Sequence, residues 1–336
     1  MTAPARGRPS VAVVIPSYNH ERFVGAALSS VFGQTLPPDE VLVIDDGSTD
    51  RSVDVIERAF ADAGSVRCTL SVRGNRGISV TRNELCAAVT TDFVALLDSD
   101  DVYAPRRLER LLAGVSPRDP YLAFSGVDFI GDEADARLWE ELSQWQFAQG
   151  AMLPTAGFAL LLSNLVLTNS NVIVSRGLIE RVGGFDERLK ICQDWDFIAR
   201  SLRFVEPTFI PEPLVSYRLH ADNTSRGAAE HASELDLLAD NQCEWMMLPT
   251  VNPVAPTPRN WPRLFRVFVG LNQTPAGQAL AARLPAAALT AGDGISDREA
   301  SALRSLVEGG CMPAARQVAS RAELMQRCAR IWAAGR

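Results

Sequence analysis

Three carboxylates fall within four positions, Asp98, Asp100 and Asp101 flanking Ser99 in the stretch FVALLDSDD. At that spacing they repel one another and raise each other's pKa, so a site that keeps them ionised supplies a cation. Hard oxygen ligands suit Mn²⁺ or Mg²⁺, ions that take a few carboxylates and complete their shell with water and phosphate oxygens. Taken alone, the stretch reads equally as a solvated acidic turn. A second acidic group, Asp45-Asp46 in DDGSTD, repeats the arrangement. Ser48 or Asp50 there suits an N-cap, which leaves Asp45 and Asp46 to hydrogen-bond a ligand. Asp194 in QDWDF opens an apolar-faced helix, where it is either an N-cap or a general base kept ionised by the helix dipole. Arg82, early in another helix, is either exposed surface or an anion contact. Of the three histidines, His220 stands in a polar, loop-like setting.

The elements that must position these groups follow from hydrophobic pattern. Residues 93–97 form an apolar run too short for a helix and suited to a strand buried on both faces. Similar strands are expected at 11–15, 40–44 and 66–72, alternating with helices at about 21–32, 51–60 and 78–89. That alternation predicts a mostly parallel, doubly wound α/β sheet, with both acidic groups at carboxyl ends of strands, where such sheets place their ligand crevices. Further on the pattern predicts helices over 105–112, 132–149 and 156–165, strands over 121–130, 170–174 and 205–210, and the QDWDF helix. From about residue 227 the chain turns Ala-, Leu- and Arg-rich and loses its strand signal. The expected division is a flexible N-terminus at 1–10, a catalytic domain at 11–226 and an all-helical extension at 227–336.

Composition narrows the classes. The chain has 336 residues, 47% of them hydrophobic, and a net charge of −7 with no basic run, which argues for a packed core and against nucleic acid as a partner. Six scattered cysteines without a CxxC pair support neither a disulfide framework nor a zinc cluster. There is no signal-peptide pattern and no 18-residue apolar span, so the expectation is cytoplasmic, with the tail helices available for peripheral contact with the inner membrane face or for self-association. The first strand is followed by Pro16-Ser17-Tyr18-Asn19 in place of a glycine fingerprint, no GK[ST] occurs, and Lys190 is the one lysine. A dinucleotide-dependent dehydrogenase and a P-loop phosphotransferase are thereby set aside.

Seven motifs occur in one order: VVIPSYN, VLVIDDGSTD, GISVTRN, LLDSDD, GGFDERL, QDWDF and YRLHADNTS. Over roughly two-thirds of its length the chain therefore resembles an inverting family-2 glycosyltransferase of the A-type fold. The resemblance implies that Pro16 and Tyr18 line a nucleotide pocket, that Asp46 receives the base with Asp45 beside it, and that Arg82 contacts the nucleotide or its phosphates. It places Asp98 and Asp100 with the nucleotide-sugar, Asp100 and Asp101 on the metal, and His220 on the metal or diphosphate. Asp194 takes the place of the catalytic base. The donor implied is a UDP- or dTDP-sugar and the acceptor a carbohydrate, lipid-linked or small-molecule hydroxyl, in polysaccharide or glycoconjugate biosynthesis. One departure stands out, Gln193 where the family commonly has Glu. The alternatives are a degenerate protein that binds a sugar nucleotide or glycan without turnover, and a nucleotidyltransferase, which would release pyrophosphate.

Overall fold

The computed structural model describes residues 8–117, 119–150, 156–162, 164–223, 234 and 321–334. The chain divides into two compact units, the first made of residues 1–128, 168–188 and 212–218, the second of 129–167, 189–211 and 219–336.

In the first unit, β1 (Val11–Ser17), β2 (Glu40–Asp45), β3 (Arg67–Val72) and β4 (Phe93–Leu96) pair in parallel in the order β3-β2-β1-β4. The connections are α1 (Val24–Phe32), α2 (Ser52–Phe60) and α3 (Ile78–Ala88). β1, β2 and β4 are buried along their whole length, as continuous β-branched and leucine runs require, whereas β3 at the sheet edge is largely exposed. Val14 sits opposite Leu42 on one side and Leu96 on the other, so the PSYN turn and the two acid-bearing loops leave the same end of the sheet.

Beyond β4 the sheet departs from the expected, mostly parallel arrangement. β5 (Val102–Tyr103), α4 (Arg107–Leu112), β6 (Leu122–Gly131), β7 (Ile173–Ser175), α7 (Arg176–Val182) and β8 (Thr208–Leu219) follow, and the order continues β7-β6-β8-β5. The pairs β4/β7, β6/β7 and β5/β8 are antiparallel, making the sheet mixed. Strand–helix alternation, the signal for parallel pairing, covers only the first four strands. β8 also runs on through Pro211 and Pro213, which read in sequence as a break. Lying two residues apart, the prolines leave their missing N–H groups on one edge of the strand, so the other edge can still pair.

The second unit holds α5 (Glu133–Gly150), α6 (Ala156–Leu162), α8 (Gln193–Ser201) and α9 (Arg321–Ala334). α5 packs against α6 and α9, and α6 against α8. Phe147 stacks on Phe209 with centroids 5.5 Å apart, Cys328 Sγ donates to the Phe147 carbonyl at 3.3 Å, and the Arg321 guanidinium lies 5.2 Å from the Phe129 ring centroid. α9 lies within the expected all-helical extension and packs in this unit. Apart from Glu234 and residues 321–334, that extension lies outside the described residues, as do residues 1–7. No helix among the described residues is long and apolar enough to cross a membrane.

Gly47, in the loop after β2, has φ +86°, and a Cβ there would lie 2.8 Å from the Asn75 amide nitrogen and 3.2 Å from the Arg73 carbonyl oxygen. Gly64 has φ +60° with open space around it. We expect Gly47→Ala to cost about 2–4 kcal/mol in denaturant unfolding, strain plus backbone clash, and Gly64→Ala about 1 kcal/mol from strain alone. Equal losses would show that the loop after β2 simply moves aside.

Candidate functional site

The loops at the carboxyl ends of β1, β2 and β4 are joined by short polar side chains. Asn19 adopts a left-handed conformation, φ +53°, which Asn tolerates better than most residues. Its amide donates to Ser48 Oγ at 2.8 Å and its Oδ1 accepts from the Thr49 amide at 2.8 Å, tying the PSYN turn to the DDGSTD loop. The next residue, His20, donates its amide to Ser52 Oγ at 2.9 Å, and its Nδ1 lies 2.7 Å from Ser99 Oγ in the acidic loop. Tyr18 is 46% exposed at the end of β1, and Pro16 is buried within the strand.

Asp45 and Asp46 are both buried. Asp45 accepts from the Ser48 amide at 2.8 Å and the Ser48 hydroxyl at 2.6 Å, closing the loop on itself. Asp46 accepts from the Arg76 and Gly77 amides, each at 2.9 Å, and is ion-paired with Arg73. The donation from Arg73 and the two amides fill three of the four lone-pair directions of that carboxylate.

Arg82, 3% exposed, is ion-paired with Asp98, so one of the three clustered acids has a cation of its own. Its guanidinium lies 5.8 Å from the Phe185 ring centroid. Neighbouring Asn83 accepts from the Phe185 amide at 2.7 Å and donates to the Phe185 carbonyl at 3.0 Å. Gly184 sits against it with φ +75°, where a Cβ would come within 2.5 Å of Asn83 Oδ1. The TRN and GGFDERL motifs are thus two halves of one contact.

Asp101 is fully buried. Its Oδ1 accepts from the Arg218 amide at 2.8 Å, and its Oδ2 from Thr168 Oγ1 at 2.8 Å and Ser170 Oγ at 2.5 Å. Burial pushes its carboxyl well above the usual carboxylate range; the Asp100 and Asp98 charges push the same way, and the Ser170 and Arg218 hydrogen bonds pull back. Ser170 Oγ also accepts from the Asp98 amide at 2.9 Å, while Arg218 Nε donates to the Asp100 carbonyl at 2.8 Å and its guanidinium lies 5.2 Å from the Phe23 ring centroid. Thr168, Ser170 and Arg218 were not singled out in the sequence; the polar TNSN run around the first two was the available signal.

Asp194 and His220 belong to the second unit. The N-cap of α8 is Cys192, with no side-chain capping bond, so the capping reading of Asp194 does not apply. Asp194 is the second residue of the helix, 7% exposed; its Oδ1 accepts from the Trp195 amide at 2.6 Å and its Oδ2 from Asn164 Nδ2 at 3.1 Å. Asp196 is buried and ion-paired with Arg200 at 2.6 Å. The amides leading into α8 are held by Glu234, whose carboxylate accepts from Lys190 at 2.7 Å and from Ile191 and Cys192 at 2.8 Å each. A residue of the expected appendage therefore shapes the start of α8. The His220 amide donates to Asn223 Oδ1 at 2.6 Å. Burial pushes the Cys86 and Cys328 thiols up to about 12 and raises Cys192 as well, which removes them as nucleophiles near neutral pH.

A family model described as "Glycosyl transferase family 2" matches residues 12–183. An uncharacterized glycosyltransferase of Nostoc sp. is 29% identical over 237 residues, covering 67% of this chain and 69% of that protein. Another, from Haemophilus influenzae, is 26% identical over 219 residues, covering 64% and 70%. Among solved structures, the mannosyltransferase PcManGT from Pyrobaculum calidifontis in complex with GDP-Man and Mn²⁺ superposes with a TM-score of 0.57 at 19% identity, over 97% of this chain and 88% of that one. TarS 1–349 of S. aureus in complex with UDP-GlcNAc gives 0.54 at 14% identity, over 97% and 91%. At these identities the structural likeness speaks for the fold alone.

Because the folded-state pKa of Asp101 is raised, the contribution of this group to stability is fully present below the ordinary carboxylate pKa and is lost as pH rises through the raised value. Asp101→Asn removes the titration. We expect the melting temperature of the metal-free parent to fall relative to that of the variant as pH rises above about 4, the ordinary carboxylate range. A difference independent of pH would show that the donors around Asp101 outweigh burial.

Proposed function

The chain belongs to glycosyl transferase family 2 and has the A-type glycosyltransferase fold, and on that premise we propose that it moves a sugar from a nucleoside diphosphate sugar to a hydroxyl acceptor with inversion at the anomeric carbon. The observation that carries this reading is the convergence, at one end of the first unit's sheet, of the PSYN turn, the DDGS loop, Arg82 and the DSDD loop. That is where open α/β sheets bind nucleotides. A UDP- or dTDP-sugar is the donor of first choice, and the complexes of TarS with UDP-GlcNAc and of PcManGT with GDP-Man support the nucleoside diphosphate class.

In this reading Pro16 and the exposed Tyr18 face the nucleotide base, and Asp46 accepts from it through its remaining lone pair. Asp45 keeps the loop closed beside it. Of the three clustered acids, Asp98 is occupied by Arg82 and Asp101 is enclosed by three donors. Asp100, which has a carboxylate oxygen within 4.8 Å of a His20 ring nitrogen, is the carboxylate proposed for a divalent cation, with Asp101 assigned to holding the loop and Asp98 with Arg82 to the donor's sugar-phosphate portion. His220 joins the metal set on the family resemblance. The hard oxygen of Asp100 fits Mn²⁺ or Mg²⁺, and such an ion, when bound, stabilises the two negative charges of the departing nucleoside diphosphate.

The second half of the chemistry falls to Asp194. An alcohol acceptor is barely acidic, so a base must take its proton as the oxygen attacks the anomeric carbon. Asp194 accepts from the Trp195 amide and from Asn164 Nδ2, and Asp196 is ion-paired with Arg200. With one base and one displacement, the stereochemical outcome is inversion. The acceptor is a carbohydrate, lipid-linked or small-molecule hydroxyl.

Incubation with a panel of nucleotide sugars, followed by assay of nucleoside diphosphate release, tests the reaction class; pyrophosphate as the product would overturn it. Exhaustive chelation by EDTA is expected to abolish transfer and Mn²⁺ or Mg²⁺ to restore it, and full activity after chelation would remove the metal from the reading. Asp194→Asn keeps shape and helix position but removes the proton-accepting charge, so transfer should fall by about 10² to 10⁴ while nucleotide-sugar binding persists. Near-parental turnover in Asp194→Asn, with Asp196→Asn inactive, would move the base to Asp196.

A further inference from the structure

Resting on the proposed metal at Asp100, we infer that His20 is a further ligand of that ion and biases the site toward Mn²⁺ over Mg²⁺. His20 belongs to no role that the family resemblance supplies, and in sequence it is an ordinary residue between a turn and a helix. Three contacts within the first unit give it a place. Its amide is held by Ser52 Oγ at 2.9 Å, its ring meets Phe23 edge-on with centroids 5.8 Å apart, and its Nδ1 lies 2.7 Å from Ser99 Oγ. Ser99 is buried and sits between Asp98 and Asp100, so the group that orients the imidazole belongs to the acidic loop itself. A ring nitrogen of His20 and a carboxylate oxygen of Asp100 lie within 4.8 Å of one another.

That arrangement matches how proteins prepare a histidine for a metal. A ligating imidazole donates its other N–H to a fixed acceptor, which sets tautomer and orientation. In the tautomer whose Nδ1–H donates to Ser99 Oγ, Nε2 is the nitrogen that can ligate an ion. Two ligands about 2.1 Å from one ion stand at most roughly 4.2 Å apart, so a small side-chain adjustment brings both onto a common cation. Replacing one oxygen of an all-oxygen shell by imidazole nitrogen favours first-row transition metals over Mg²⁺.

The test measures metal binding directly. Mn²⁺ affinity is read by electron paramagnetic resonance of free Mn²⁺ and Mg²⁺ affinity by competition, with and without UDP, on full-length parent, His20→Asn and Ser99→Ala. Ser99→Ala, which removes only the orienting partner, should weaken Mn²⁺ by about 10- to 100-fold, and His20→Asn should weaken Mn²⁺ at least as much and Mg²⁺ much less. Melting temperatures check that each variant is folded, and His20→Gln, which also keeps the backbone contact to Ser52, replaces His20→Asn should that variant not fold. Unchanged Mn²⁺ affinity, or equal losses for both ions, overturns His20 as a ligand while leaving the proposed metal at Asp100 standing. A parent that binds neither ion, with or without UDP, overturns both.

Discussion

The buried carboxylate of Asp101 is the constraint on which the first unit's candidate site depends. It receives hydrogen bonds from Thr168 and Ser170, beside β7, and from the Arg218 amide in β8, and so pins the acidic loop after β4 to two antiparallel strands remote in sequence. Burial and two neighbouring carboxylates act against its ionised form, so charging this group is costly there. The arrangement persists because three donors converge there, and because removing them would leave a buried acceptor unmet. Asp98 and Asp100 stand at the same sheet end, the first met by Arg82 and the second with a carboxylate oxygen within 4.8 Å of a His20 ring nitrogen.

Those loops are rigidified in the same manner, by short polar side chains bonded to backbone groups rather than by regular structure. Asp45 closes the loop it opens, Asp46 collects the Arg76 and Gly77 amides, and Asn19 with Ser48 joins the two turns. Asn83 does the same for the turn around Phe185. Residues that look like ligand contacts therefore also serve as the scaffold, and the two duties compete for a finite number of lone pairs. Counting those lone pairs is what marks Asp101, enclosed by three donors, as part of the scaffold.

The second unit arrives at its proposed base by a different route. α8 begins without a side-chain cap, and Glu234 supplies the acceptors for the three amides that lead into it. Asp194 is consequently spared from capping and sits one position inside the helix, while Asp196 forms an ion pair with Arg200 one turn on. The two aspartates of this helix thus have different surroundings, Arg200 four residues on for Asp196 and Asn164, thirty residues back, for Asp194.

Hydrophobic runs alone determined β1, β2 and β4, since a strand buried on both faces must be apolar throughout, and strand–helix alternation determined their parallel pairing. The acids at their carboxyl ends, and with them the place of the candidate site, followed from the same pattern. Local sequence marked strands at or beside β6 and β7 but contained no comparable signal for their antiparallel pairing, for the passage of β8 through Pro211 and Pro213, or for the participation of Glu234 in α8. Nor did it distinguish an inward from an outward aspartate in DSDD. That distinction rests on pairs such as Asp101 with Arg218, 117 residues apart, which meet only once the strands are ordered. Periodicity reports how a segment meets its own surroundings, whereas the state of a buried carboxylate depends on which distant donors the topology delivers to it.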